Sequence, residues 1–146
     1  MSKGDTFEND WLKLIFQATA IANLADNAGS SPLTNLYVAL HTADPGESGS
    51  QTTSECNYTS YARVAVARSA GGWTVTANSV SPAANIDFPN PTNATNLPQT
   101  ATHFSIGTAA SGAGKVLYKG ALSPTIVISN TGVTPRVGTG TTITED

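Results

Sequence analysis

The stretch LYVALHTADPGESG, residues 36–49, decides the fold class. Leu36, Val38 and Leu40 alternate with Tyr37, Ala39 and His41, the two-residue period of a strand whose faces differ. The period then stops at Asp44-Pro45-Gly46-Glu47. Pro45 presets the first central turn position and Gly46 tolerates the left-handed one, so a turn follows the strand. The same grammar recurs outward: ARVAVARS (62–69), WTVTA (73–77) after Gly71-Gly72, 84–88, 102–107, 115–122 and 125–129, with weaker strands at 133–137 and 141–144. Short strands separated by Gly, Pro and Asn clusters predict a mainly β chain, an antiparallel, jelly-roll-like β-sandwich.

One segment has a different period. Between residues 8 and 26, Trp11, Leu14, Ile15, Ala18, Ala22 and Ala25 recur at helical spacing, with Leu12, Phe16, Ile21 and Leu24 adding apolar surface elsewhere. This predicts a single N-terminal α-helix, with Asp5 and Glu8 or Asn9 and Asp10 as alternative starts and Gly29 as a stop. The polar, aperiodic segments 29–35, 48–59 and 89–99 are loops. At 146 residues the chain suits one domain. Segments 1–9 and 138–146 carry little that folds alone and read as terminal arms.

Only 12% of the residues are charged, about half the roughly 25% usual in soluble domains. Thr, Ser, Asn and Gly fill the place, as in GTGTTIT near the end. Neutral hydroxyls cost far less to desolvate than ions, so such a surface is suited to packing against other proteins. A net charge of -3, with seven Lys and Arg in all, argues against nucleic acid as the partner. Arg63 and Arg68, and likewise Lys115 and Lys119, read as solvated strand positions. The start is polar and acidic rather than basic and apolar, so no secretory leader is expected, and the sequons at Asn57 and Asn93 are silent. Leu12–Leu24 is too short and too polar to span a bilayer.

The residues that carry chemistry are few. His41 and His103 both lie in strands, where a packed or hydrogen-bonded imidazole is the ordinary state. Asp44 and Glu47 flank a turn that accounts for them without a metal, and no further acidic ligands follow at the spacing of a calcium loop. Gly112-Ala113-Gly114-Lys115 lacks the spacing of a phosphate loop and reads as a hairpin turn. Cys56 is the only cysteine, which excludes an intrachain disulfide, and no basic neighbour marks it as activated. Trp11 and Trp73 fall on the apolar phase of their elements. No catalytic, metal or cofactor residue is assigned. The candidate partner-contact residues are Trp11, Phe16, Asp44, Pro45, Glu47, Tyr58, Tyr61, Glu145 and Asp146.

Taken together, LYVALHTADP (36–45), YARVAV (61–66), HFSIG (103–107) and the closing TITED (142–146) are similar to a family of small tailed-phage structural proteins, over about residues 10 to 146. The resemblance implies a non-enzymatic virion component, assembled in the bacterial cytoplasm, that binds other virion proteins and copies of itself. It brings no catalytic residues. A fibre shaft needs repeats or coiled coil, and neither is present. The preferred expectation is therefore a capsid decoration or cement protein on the major capsid protein, without nucleic acid, membrane or small-molecule substrate. A tail-fibre or tail-tip host-contact module is the alternative, and a carbohydrate-binding or small hydrolase sandwich the third.

Overall fold

The computed structural model describes residues 5–21 and 32–145. Among them are one helix, α1 (Asp5–Gln17), and nine strands: β1 (Asn35–His41), β2 (Val64–Ala67), β3 (Trp73–Thr76), β4 (Ser79–Pro82), β5 (Ile86–Asp87), β6 (Gln99–Gly107), β7 (Val116–Ile128), β8 (Arg136–Val137) and β9 (Ile143–Thr144). The mainly β class with one N-terminal helix is thus as the sequence predicts. β1–β6, β6–β7, β3–β4 and β4–β9 all pair antiparallel. Within the described residues no helix is long and apolar enough to cross a membrane. The backbone gathers into two compact units, each built from separated chain segments.

The first unit combines α1 with the sheet β3-β4-β9. β3 and β4 form a hairpin in which Thr76 faces Ser79, leaving Ala77 and Asn78 as the turn, with Ala77 at φ 50°. Glu8, Leu12 and Phe16, one turn apart, are the buried stripe of α1, and Phe16 meets Trp73 edge-on at 4.8 Å between ring centres. This corrects the expected face: Trp11, Leu14 and Ile15 are only half-buried, because the stripe 8-12-16 is the one turned to the sheet. Asn9 Nδ2 donates to the Ala77 carbonyl at 2.6 Å and Gln17 Nε2 to that of Trp73 at 3.2 Å, fixing both ends of the helix to the hairpin.

The helix also ends earlier than the apolar pattern suggests. Ala18 takes a left-handed φ of 55°, and the Thr19 amide turns back to the Lys13 carbonyl. Residues 18–21 are non-helical, and 22–26 lie outside the described residues. Helices end with carbonyls that no later turn serves. Arg68 serves two of them, with Nε donating to the Ile15 carbonyl at 2.5 Å and Nη2 to that of Leu14. Its burial lowers the guanidinium pKa. Arg68 is therefore a helix cap rather than a solvated strand residue, and it acts at the end where the helix dipole favours a cation.

The second unit holds β1 from Leu36 onward, β6, β7 and the first two residues of β2, Val64 and Ala65. Leu40 pairs with Phe104 and Val38 with Ile106, so these four share one face, and all are buried. The other face carries Tyr37, Ala39 and His41 opposite Gly107, Ser105 and His103. It is not an outer surface: Ala39, His41 and Ser105 are fully buried. The expected strands 115–122 and 125–129 are one strand, β7. Between the pairs Ala101–Ile126 and His103–Ala121, Thr102 alone stands against Leu122–Thr125, a bulge that keeps both halves on β6. β4 is a strand that alternation does not reveal, because SVSP has the composition of a loop. Ile143–Thr144, inside the segment read as an arm, pairs with β4.

The two helix aromatics separate burial from periodicity. Phe16→Ala is expected to destabilise the protein by about 3–5 kcal/mol, the cost of emptying a filled aromatic site, and half-buried Trp11→Ala by clearly less. Urea unfolding of the two variants reads the difference, and equal losses would remove the assignment of 8-12-16 as the packing stripe.

Candidate partner-contact site

The second unit contains a polar core centred on Arg63, whose side chain is 2% exposed. Its guanidinium grips Glu55 with two parallel bonds, Nε to Oε1 at 2.7 Å and Nη2 to Oε2 at 2.8 Å. Nη2 also donates to the Gly112 carbonyl at 2.8 Å, and Nη1 to that of Ala109 at 2.9 Å. A fifth, weaker bond at 3.5 Å runs from Nη1 to Gln51 Oε1. All five N–H groups of the side chain are thereby used. The expectation of a solvated Arg63 is corrected, since two loops converge on it with a carboxylate and two carbonyls.

Gln51, itself fully buried, extends the network. Its Nε2 donates to the Tyr37 carbonyl at 3.0 Å, and its Oε1 accepts the Ala109 amide at 3.1 Å. The amide group lies so close to Gly107 and Gly114 that a Cβ there would come within 2.2 Å of Gln51 Cδ and 2.3 Å of Oε1. Only glycine lets the backbone pass at this distance. The Gly112–Lys115 segment read as a hairpin turn is thus also one wall of the Gln51 slot.

His41 completes the inner face. Nδ1 is 2.9 Å from the Thr53 carbonyl and Nε2 is 2.8 Å from Ser105 Oγ. A carbonyl only accepts, so Nδ1 carries the proton and Nε2 accepts from the serine hydroxyl. Although Ser105 and His41 form a pair of the kind that hydrolases use, both are fully buried and no carboxylate orients the ring, so the pair braces the sheet. Burial lowers the His41 pKa below its ordinary 6.5, against a smaller raising effect of the Thr53 bond. Cys56, buried beside Glu55, has its thiol pushed up to about 12, so it stays protonated and unreactive. No group of three or more His, Cys, Asp or Glu among the described residues is placed to hold a metal.

The candidate contact residues fall into two sets, one in each unit. In the first, Phe16 is buried in the core, whereas Trp11 is half-buried beside the exposed Phe7, ring centres 6.5 Å apart. Glu145 is half-buried, with its carbonyl accepting from Asn78 Nδ2 at 2.9 Å, and Asp146 lies outside the described residues. In the second, Pro45 and Tyr58 are buried, and Tyr58 donates its hydroxyl to the Pro89 carbonyl at 2.9 Å. Tyr61 is half-buried, stacks on Phe88, and donates to Glu55 Oε1 at 3.0 Å while accepting the Leu40 amide. Burial raises both tyrosine pKa values. Phe16, Pro45 and Tyr58 thus use their area inside the fold, because their side chains are the ones the cores close around.

Asp44 and Glu47 remain outside. Asp44 accepts the Gly46 amide at 2.8 Å, as the turn reading requires, and it shares Lys119 with Glu47 at 3.0 and 3.1 Å. The Gly46 bond first, and Lys119 second, lower the Asp44 pKa. Exposed pairs of this kind contribute little stability. What sequence reasoning missed is Arg63, Gln51 and Glu55, because Arg63 stands just before the short strand β2 and the other two lie in a polar loop, positions where solvated side chains are ordinary.

Residues 3–144 match the family described as "Podophage GP4 fiber I protein gp80". No curated protein matches the chain.

Two outcomes test the site. Arg63→Met is expected to destabilise by about 3–5 kcal/mol, because it strands a buried carboxylate and two carbonyls; double replacement with Glu55→Gln should recover part of the loss. Chemical denaturation measures both, and a near-neutral single variant would show that the network is dispensable. For His41 the folded pKa lies below the unfolded 6.5, so its stabilisation is complete above that value and is lost as pH falls below it. His41→Asn should flatten the change in melting temperature between about pH 7.5 and about pH 5.5, where carboxylates scarcely titrate. An unchanged slope would count against it.

Proposed function

The chain belongs to the podophage GP4 fiber I protein gp80 family, and from that premise we propose that it is a non-shaft component that joins the fibre to other virion proteins. It is a virion structural protein of the fibre, and the family is not an enzymatic one. The observation that carries the reading is the extent of the match, residues 3–144, which takes in both structural units. It speaks for the tail-fibre alternative over the capsid cement expected from sequence. The case for cement rested on the lack of shaft repeats, which argues against a shaft segment but not against a unit at a fibre's end or joint.

Surface chemistry supports attachment through neutral contacts. Arg63, Arg68, Lys119 and Arg136 are engaged within the chain, Arg136 with Asp87 at 2.5 Å. That leaves few cations for an ionic interface. Exposed Phe7 beside Trp11 on α1 offers an aromatic contact at the surface of the first unit. Aromatic anchors of this type dominate binding when they enter a partner's pocket. Asp44, Glu47 and Glu145 are the polar rim of the proposal.

Retention on purified particles tests it. Since screening at about 1 M salt, with a Debye length near 3 Å, weakens ion pairs and spares apolar burial, the chain should stay bound at low and at high salt. Phe7→Ser with Trp11→Ser should lower its occupancy while leaving the free protein folded. Loss at high salt would replace the neutral contact by an ionic one, and electron-microscopy density for the chain on the capsid shell would remove the fibre reading.

A further inference from the structure

Above the Arg63–Glu55 pair, within the second unit, lies an open cleft of about 220 Å³ lined by these two residues, Tyr61, Ala62 and the loop 110–112. We propose that this cleft binds a single neutral sugar ring. The volume is below the roughly 300–1,000 Å³ of sites for drug-sized ligands, so it suits one ring. The floor defines the charge. Arg63 and Glu55 neutralise each other across two bonds, and the remaining N–H groups of Arg63 are given to Gly112, Ala109 and Gln51. An arriving phosphate or carboxylate would find no free guanidinium donor and would lie beside Glu55. An ammonium group would meet Arg63 and gain little from a carboxylate already paired.

What the cleft does offer is acceptors and small apolar walls. Glu55 is 16% exposed and accepts three bonds, two on Oε1 and one on Oε2, which leaves capacity on a carboxylate able to take about four. The exposed rim residue Ser111 adds a hydroxyl. Ala62, Ala110 and Tyr61 supply C–H surface. A sugar has the matching character, with hydroxyl donors at its edge and C–H groups on its faces, and it carries no charge. The loop that forms one wall is held by Arg63 through the carbonyls of Ala109 and Gly112, so binding need not order it, and a preformed site loses less entropy on binding.

This goes beyond the fibre reading and is tested on the free, full-length protein, so its failure leaves that reading standing. The probes are glucose, galactose, mannose, rhamnose and N-acetylglucosamine, each free and as its methyl glycoside to stand for a glycan-linked ring. Glucuronate and inorganic phosphate are the anionic controls. In ¹H–¹⁵N spectra at least one neutral sugar should produce saturating shifts confined to residues 55, 61–63 and 109–112, and neither anion should. Ser111→Ala should weaken that sugar about three- to tenfold, the loss of one hydrogen bond. Ala62→Trp, at an exposed position, should fill the cleft and abolish the shifts at unchanged melting temperature; Ala110→Gln is a second blocking variant if the first does not fold. The proposal is overturned if no neutral sugar shifts these amides well above about 1 mM. It is equally overturned if the anions shift them as much, or if the blocking variant that folds leaves binding intact.

Discussion

The second unit depends on one guanidinium. Arg63 ties Glu55, on the segment after the first turn, to the Ala109 and Gly112 carbonyls of the loop between β6 and β7. Gln51 then links that loop to β1 through the Tyr37 carbonyl. Without these bonds the Glu55 carboxylate and the Ala109, Gly112 and Tyr37 carbonyls would lose the side-chain donors that they have here, and a buried polar group left without a partner is costly. The buried ion pair is therefore better understood as a specifier of loop position than as a large source of net stability, since desolvation offsets much of its attraction.

Five residues further on, Arg68 does the corresponding work in the first unit, closing the α1 carbonyls of Leu14 and Ile15. The run ARVAVAR thus supplies an anchor to each unit from one short stretch of chain. β2 lies between the two arginines, and its alternate residues Ala65 and Ala67 are exposed while Val64 and Val66 are half-buried. A strand this short, with such small side chains, contributes little packing of its own. Its contribution is positional, in that the arginines at either side of it need their partners to be elsewhere in the chain.

That long-range dependence explains what was legible and what was not. β1, β3 and most of β6 were readable because Leu36-Val38-Leu40, Trp73-Val75 and Phe104-Ile106 put larger apolar side chains at every second position, a consequence of the pleat itself, whereas the burial of Ala39, His41 and Ser105 on the other face leaves no such sign. The Asp44-Pro45-Gly46 turn was readable because its chemistry is local, and the Asp44–Gly46 bond is there. The end of α1 was not, because the apolar period runs on past Gln17 and the halt comes from a left-handed Ala18 and from Arg68, more than fifty residues away. β4 was hidden for the same reason: Ser79–Pro82 is a strand because β3 and β9 flank it. In the site, Arg63 resembled a solvated strand residue, and Gln51 one more polar loop residue. Nothing within several positions of either betrays a burial that Gly107 and Gly114 make possible.

The low charge fraction then acquires a structural meaning. Four of the seven Lys and Arg, namely Arg63, Arg68, Lys119 and Arg136, are occupied with the chain's own carboxylates and carbonyls. With these cations engaged by the chain's own groups, Arg63 buried, Arg68 half-buried and the other two paired at the surface, much of the outer surface is left to Thr, Ser, Asn and scattered apolar groups. Such a surface neither steers a distant charged partner nor repels a neutral one. Association through such a surface would depend on shape and on small desolvation costs, a mode that favours subunits already held close together. A component built into a fibre meets that condition, because its neighbours are present at high effective concentration once assembly has begun.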